Sequence, residues 1–424
     1  MTKSTFDDIA CTVCGCVCDD LRVTVDDGRI AAIEPHCPLA EAWFLKQNVS
    51  PNPSAAEVAG KPVELATGIA AAAAILRDAK LPLIYGLARS STPGQRAAVR
   101  LADELGAIID TNASTCHGPS IVALQAVGES TSTLGEVRNR ADLVIYWGSN
   151  PAVSHPRHME RYALEPHSQF VPGGRADRTL VVVDSRATET AKAADLFVQV
   201  KKGSDFEVLW ALRAMVQGKP LDVAEVGGVK LEVLADLAAR MKSCRTGVVF
   251  FGRGLSLGPV GHADVEALLR LTTELNAFTR FYARRMRIYG DVAGADSVLT
   301  WQTGYPFSVN LAHGYPRYSP GEYSAEACLS RGEVDACLLV GGEGIRTLSD
   351  QARARLAEIP TIVLDYASAD RLMDPNVRFT TAVYGVHRSG TAYRMDEVPI
   401  PLRGFLPSPL PSDDEVLNAI TDAL

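Results

Sequence analysis

The chain has 424 residues, 47% of them hydrophobic and 22% charged, with a mean hydropathy of +0.04. That is the composition of a packed globular protein of two or three domains, and it excludes a disordered or collagen-like chain. Its 42 Lys plus Arg against 50 Asp plus Glu leave a formal net charge of −8, so no overall positive field draws it to nucleic acid or to an anionic membrane.

No apolar run reaches the roughly 18 residues that span a bilayer. The opening stretch from Met1 to Asp8 lacks a basic segment followed by an apolar one, so a cytoplasmic protein is expected.

The first element in chain order is Cys11-Thr12-Val13-Cys14-Gly15-Cys16-Val17-Cys18, followed by Cys37. Thiolates so close in sequence turn toward one point, and a fourth can complete the tetrahedral sulfur set taken by Zn²⁺ or by a [4Fe–4S] cluster. Cys11, Cys14, Cys18 and Cys37 are the favoured ligands, with Cys16 and His36 as alternatives. A group of reduced, buried thiols is the plain structural reading. Residues Arg22 to Ile33 alternate about Asp27-Gly28 and predict a β-hairpin. The segment to about residue 55 reads as a small Cys-rich domain whose modest hydrophobic content calls for a metal.

From about residue 56 onward, β-rich runs alternate with Ala/Leu/Arg-rich helical stretches, the pattern of a parallel sheet covered on both faces. The runs begin at Leu83, Ala107, Leu143, Leu180, Gly247, Ala336 and Thr361, and several end in Gly or Asp, where open α/β sheets place ligands. Residues 56–330 are expected to hold the first α/β domains, with an irregular insert between Asp291 and Glu322. Residues 331–424 are expected to return to β-α-β before a Pro-rich tail and a last helix.

Several turns carry chemistry-bearing residues. Cys116-His117-Gly118-Pro119 lies between a strand and a helix start, where free N–H groups and the helix dipole lower a thiol pKa. The alternative is a structural Cys-His pair. Asp184 and Arg186 end another strand and suit a phosphate or, equally, an N-cap with a surface arginine. Asn150-Pro151 marks a turn before His155-Pro156-Arg157-His158, a pair that fits an anion or metal less well than packing. Gly252-Arg253-Gly254 with Gly258 departs by one residue from a dinucleotide fingerprint, and Gly60-Lys61-Pro62 is no phosphate loop.

Five segments in unbroken order resemble the molybdopterin-type subunit of formylmethanofuran dehydrogenase. They are the Cys11–Asp20 motif, Cys116–Ser120, Tyr146-Trp147-Gly148 with Asn150-Pro151 and His155–Met159, Gly304-Tyr305-Pro306 with Pro316–Glu322, and Gly390–Met395. The resemblance implies a molybdopterin-oxidoreductase fold: a small amino-terminal cluster domain, then Rossmann-like α/β domains around molybdenum or tungsten with two pterin guanine dinucleotides. It also implies Cys11, Cys14, Cys18 and Cys37 as [4Fe–4S] ligands, Cys116 as the protein ligand of the metal, and His117 and Arg287 beside it. In that family the metal site reduces CO2 to formate, which passes to a separate subunit with a binuclear metal site and is condensed there onto methanofuran.

Three departures from the pattern stand out: Ile288-Tyr289 after Arg287, Gly341-Gly342-Glu343-Gly344 in a pterin turn, and Asp370, Arg371 and Arg378 in the segment from Asp365 to Val386. They suggest a lost pterin. The expectation is therefore a non-redox scaffold subunit of the bacterial formyltransferase/hydrolase complex, which releases formate in methylotrophic formaldehyde oxidation. The other subunits of that complex, above all the hydrolytic one, are the expected partners. An active CO2-reducing dehydrogenase subunit with its Mo/W bis-pterin site is the alternative.

Overall fold

The computed structural model describes residues 3–48, 53–258 and 260–424. The chain divides into two compact units, residues 1–115 with 289–424, and residues 116–288. This division differs from the expected boundaries near 55 and 330, because strands from both ends of the chain join one sheet.

In the first unit, Lys3–Ile9, Leu21–Asp26 and Arg29–Glu34 form an antiparallel sheet. The expected hairpin is present, with Asp27 and Gly28 at φ of 52° and 76°, the positive values a tight two-residue turn requires. Alternation buries Leu21, Val23 and Val25 against Ile30, Ile33 and Phe44, and Cys11 and Cys37 belong to the same small core.

The main sheet of this unit has nine strands among the described residues, in the order Arg317–Tyr318, Val309–Asn310, Ile108–Thr111, Pro82–Gly86, Ala336–Val340, Thr361–Tyr366, Val377–Thr381, Ala56–Val58, Lys61–Val63. Its five central strands are parallel. Numbered by chain order they run 2-1-3-4-5, a doubly wound arrangement whose direction reverses between Pro82–Gly86 and Ala336–Val340. These strands are apolar throughout because both faces are covered: Ile84, Ile109, Leu338 and Ile362 pack on one side, and Leu83, Ile108, Leu339 and Val363 on the other.

The region read as an irregular insert from Asp291 contains a helix, Val292–Thr303. It is capped by Asp291, which accepts from Gly294 N–H, and ended by Gly304 at φ 87°. Its first four residues are small and all buried, so no polar face marks it in the sequence.

The second unit is a five-stranded parallel sheet in the order Leu196–Gln199, Thr179–Asp184, Leu143–Trp147, Thr246–Phe251, Arg280–Arg285. In chain order this is 3-2-1-4-5, the Rossmann sequence, with reversal between Leu143–Trp147 and Thr246–Phe251. The helices Asp205–Val216, Leu231–Ser243 and Gly261–Leu275 share its apolar core. Among the described residues no helix is long and apolar enough to cross a membrane.

Candidate active and metal centres

At the reversal point of the second unit, backbones meet almost without side chains. Gly252 N–H donates to Trp147 O at 3.0 Å and Gly254 N–H to Gly148 O at 3.0 Å. A Cβ on Gly148 would lie 2.6 Å from Leu255 N, and one on Gly252 would lie 2.6 Å from Gly148 O. These glycines are therefore required by close approach. Around the same carboxyl edge stand Asp184 at the end of its strand, Asp205 accepting from the Trp147 indole at 2.8 Å, and Asp264. Asp264 Oδ1 is buried without a hydrogen-bond partner. Burial first, and then Asp205 and Glu207, push the Asp264 carboxyl up to about 7.

Cys116 and His117 precede the helix Gly118–Val127, with Pro119 in its first turn. Cys116 is buried, and its carbonyl accepts from Ser256 Oγ at 3.2 Å. His117 is 1% exposed, and its Nε2 lies 3.2 Å from Met286 O. Burial, then the nearby charges of Arg287, Arg285 and Arg253, push His117 down to about 3. The Met286 carbonyl only accepts, so the imidazole carries its hydrogen on Nε2 there. Arg285 pairs with Glu129 at 3.2 Å, both side chains buried. The structure places His117, next to Cys116 in the chain, within electrostatic reach of Arg287, and adds Arg285 and Arg253 to its surroundings. Arg253 lies within the glycine-rich turn that departs from a dinucleotide fingerprint, and no motif marks Arg285, which ends the Arg280–Arg285 strand.

Asn150 sits on the loop after Leu143–Trp147, and its Oδ1 accepts from Thr190 N–H at 3.1 Å and Thr190 Oγ at 2.7 Å. Arg186 is exposed, with its N–H on Asp184 Oδ1 at 3.3 Å. His155 and His158 are buried in packing: His158 Nδ1 meets Tyr146 OH at 2.8 Å, and its ring stands edge-on to Phe250 at 4.6 Å.

In the first unit, Cys11 is pushed up by burial first, and then by Cys14, Cys18 and Cys37, so these four thiols lie within electrostatic reach of one another. The free thiol of Cys16 is in hydrogen-bond contact with those of Cys14 and Cys18. His36 is on the surface, paired with Glu41 at 3.2 Å. Among the described residues no group of three or more His, Cys, Asp or Glu stands at metal-holding geometry. The donor chemistry of the four cysteines nonetheless suits a soft metal or an iron–sulfur cluster.

Arg89 ties this loop to the crevice at the reversal point of the nine-stranded sheet. It donates to Thr12 O at 2.8 Å and Val13 O at 3.2 Å, pairs with Glu343 at 3.0 Å, and lies 5.5 Å from the Tyr289 ring centroid. The Tyr366 hydroxyl donates to Arg89 O. The remaining cavity is about 190 Å³, lined by Arg89, Glu343, Arg346, Asp365, Tyr366 and Asp370 among others.

These two crevices answer differently for a guanine dinucleotide. The second unit fits one: its glycine contact lets backbone approach backbone, and Asp184, Asp205 and the unpartnered Asp264 oxygen offer acceptors to ribose hydroxyls and base N–H groups. In the first unit the cavity beside the Arg89–Glu343 pair, at about 190 Å³, falls below the roughly 300–1,000 Å³ of small-molecule sites.

No protein-family model matches the chain. The fold is shared with acetylene hydratase from Pelobacter acetylenicus, at a TM-score of 0.73 and 12% identity over 99% of this chain and 69% of that one. It is also shared with a chain of the formyltransferase/hydrolase complex from Methylorubrum extorquens, solved with methylofuran, at a TM-score of 0.72 and 24% identity over 87% of this chain and 98% of that one. Together with the cysteine-rich amino terminus, this is the molybdopterin-oxidoreductase class of α/β protein. The corresponding subunit of the tungsten-containing formylmethanofuran dehydrogenase 2 of Methanocaldococcus jannaschii is 39% identical over 97% of both chains. The chain belongs to that family, the B subunits of formylmethanofuran dehydrogenase.

Proposed function

We propose that this chain is the redox subunit of a cytoplasmic formylmethanofuran dehydrogenase complex, which reduces CO2 to formate and passes it to a partner subunit for condensation onto methanofuran or an analogue. The observation that carries this reading is the buried thiol of Cys116 beside a neutral His117 and three arginines, Arg253, Arg285 and Arg287. Identity of 39% over 97% of this chain to a tungsten-containing subunit, against 28% over 67% to a hydrolase-complex subunit, supports the redox reading over a scaffold.

When bound, the tungsten or molybdenum pterin would supply two-electron chemistry, held by the Cys116 thiolate and by the crevice at Asn150, Asp184 and Arg186. Arg287 attracts and orients the carboxylate of formate by charge and paired donors. Arg285, neutralised by Glu129, adds less. His117 keeps the backbone at Met286 in place through its Nε2–H. Cys11, Cys14, Cys18 and Cys37 would hold a [4Fe–4S] cluster that exchanges electrons one at a time.

A second reading, the non-redox scaffold of a formyltransferase/hydrolase complex, is favoured by the Arg89–Glu343 pair in the first unit's crevice. Tungsten, molybdenum, iron and pterin analysis of the purified complex separates the two. The redox reading expects stoichiometric metal and guanine dinucleotide, with CO2 reduction abolished in Cys116→Ser. A complex without either, whose formate release survives that substitution, would establish the scaffold.

A further inference from the structure

Two successive carbonyls beyond the Arg280–Arg285 strand are each held by a buried imidazole. Met286 O lies 3.2 Å from His117 Nε2, and Arg287 O lies 2.6 Å from His155 Nε2. A carbonyl oxygen can only accept, so His155 carries its hydrogen on Nε2 and leaves Nδ1 as an acceptor. Ser154 Oγ stands 2.8 Å from that Nδ1 and 3.1 Å from Asn150 O. The Ser154 hydroxyl has a single hydrogen and both of those atoms only accept, so it donates to one of them at a time; the link to the Arg287 backbone is made by His155 itself, which ends the short helix Pro151–Ser154 after Asn150. His155 is 1% exposed, and among the described residues no charged side chain makes a hydrogen bond or ion pair with its ring.

We infer that His155 is a positioning residue for Arg287: its Nε2–H fixes the carbonyl, and so the direction in which the guanidinium is presented to an anionic substrate, by anchoring it to the crevice loop. The inference rests on the reading of Arg287 as the carboxylate-binding group. Its structural half, the anchoring of the backbone, stands apart from that reading. Burial pushes His155 down to about 4, so it remains a neutral donor throughout the physiological range. Replacing the donor by a hydrocarbon leaves the Arg287 carbonyl unsatisfied in the interior, whereas Gln can place an amide N–H where Nε2 stood.

The test uses the purified complex with His155→Leu, His155→Gln and Ser154→Ala. Amide exchange over residues 286–289 is followed by mass spectrometry, formate affinity by titration calorimetry, and stability by thermal unfolding. In His155→Leu, exchange is expected to speed up about tenfold or more and the formate Kd to rise by a similar factor. His155→Gln should stay within about twofold of the parent, and Ser154→Ala should show a smaller change of the same sign.

The inference is overturned if His155→Leu leaves both exchange and affinity at parental values, or if His155→Gln is as impaired as the leucine variant. If His155→Leu does not fold, Ser154→Ala with parental exchange overturns it. A parent complex that binds no formate removes the proposed function, and the exchange result then decides the positioning role alone.

Discussion

Each unit is a doubly wound sheet with a reversal point, yet the two crevices are built from opposite materials. In residues 116–288 the loops after Trp147 and Phe251 touch through glycine backbone, ringed by carboxylates, one with an unpartnered oxygen. In the other unit the corresponding space holds the Arg89–Glu343 pair and Tyr366, and Arg89 also grips the cysteine loop. A crevice kept open by glycines tolerates no added atom but admits a ligand. One filled by flexible charged side chains tolerates substitution and admits little. A reversal point thus says where a ligand would go, and local side-chain volume decides whether it can.

The contrast is broken most directly at the glycines. Gly148→Ala places a methyl against the Leu255 and Gly254 backbone at φ 54° and is expected to destabilise the second unit by about 4 kcal/mol. Gly342→Ala in the first unit meets only Asp365 Oδ2 at 3.0 Å and should cost below about 1 kcal/mol. Denaturant unfolding of the two variants checks this, and equal losses would remove the distinction.

Acid sharpens it next. His155 titrates near 4 in the fold against 6.5 ordinarily, so the unfolded chain binds the proton first and stability falls as pH drops from about 6.5 toward 4. The contribution approaches about 3 kcal/mol, and it should be absent from the same pH series on His155→Gln.

Glu343→Ala removes the counter-charge of Arg89 in a partly buried pair and should cost about 2 kcal/mol. It should also widen the 190 Å³ cavity, which a crystal structure of the variant would measure. A variant as stable as the parent would show that the carbonyls of Thr12 and Val13 suffice for Arg89.

One effect is a gain. Burial pushes the Asp264 carboxyl up to about 7 in the fold, so its ionisation opposes folding as pH rises from about 4 to 7. Asp264→Asn should therefore match the parent near pH 4 and be the more stable of the two at pH 8, by up to about 4 kcal/mol.

Much of this is readable along the chain. All seven predicted β-rich runs are strands, because β-branched runs bounded by Gly or Asp are written locally. The cysteine motif, Cys116-His117 and the Asp27-Gly28 turn are equally local, and each carries its own chemistry. Helix Val292–Thr303 is not legible, because its first turn is small residues buried together and its exposed residues, Thr300, Trp301 and Gln302, are bunched in the last turn, which leaves no regular polar face. Arg89, Arg285 and His155 go unmarked or read as packing, because their roles depend on distant partners. Those partners lie 76 to 277 residues away in the Arg89 contacts and 132 away for His155.

The sequence by itself determined the alternation of strand and helix, the thiol-rich amino terminus and the family, since each rests on residue types at short spacing. Only the tertiary structure decided that residues 336–381 complete the sheet begun at residue 82, through pairings such as Ala336 with Pro82, and that one reversal point is filled while the other is cradled. Pairing between distant strands is selected by the burial of whole faces, and the room left in a crevice by side-chain volumes that converge from both ends of the chain. Neither quantity exists until the chain has folded.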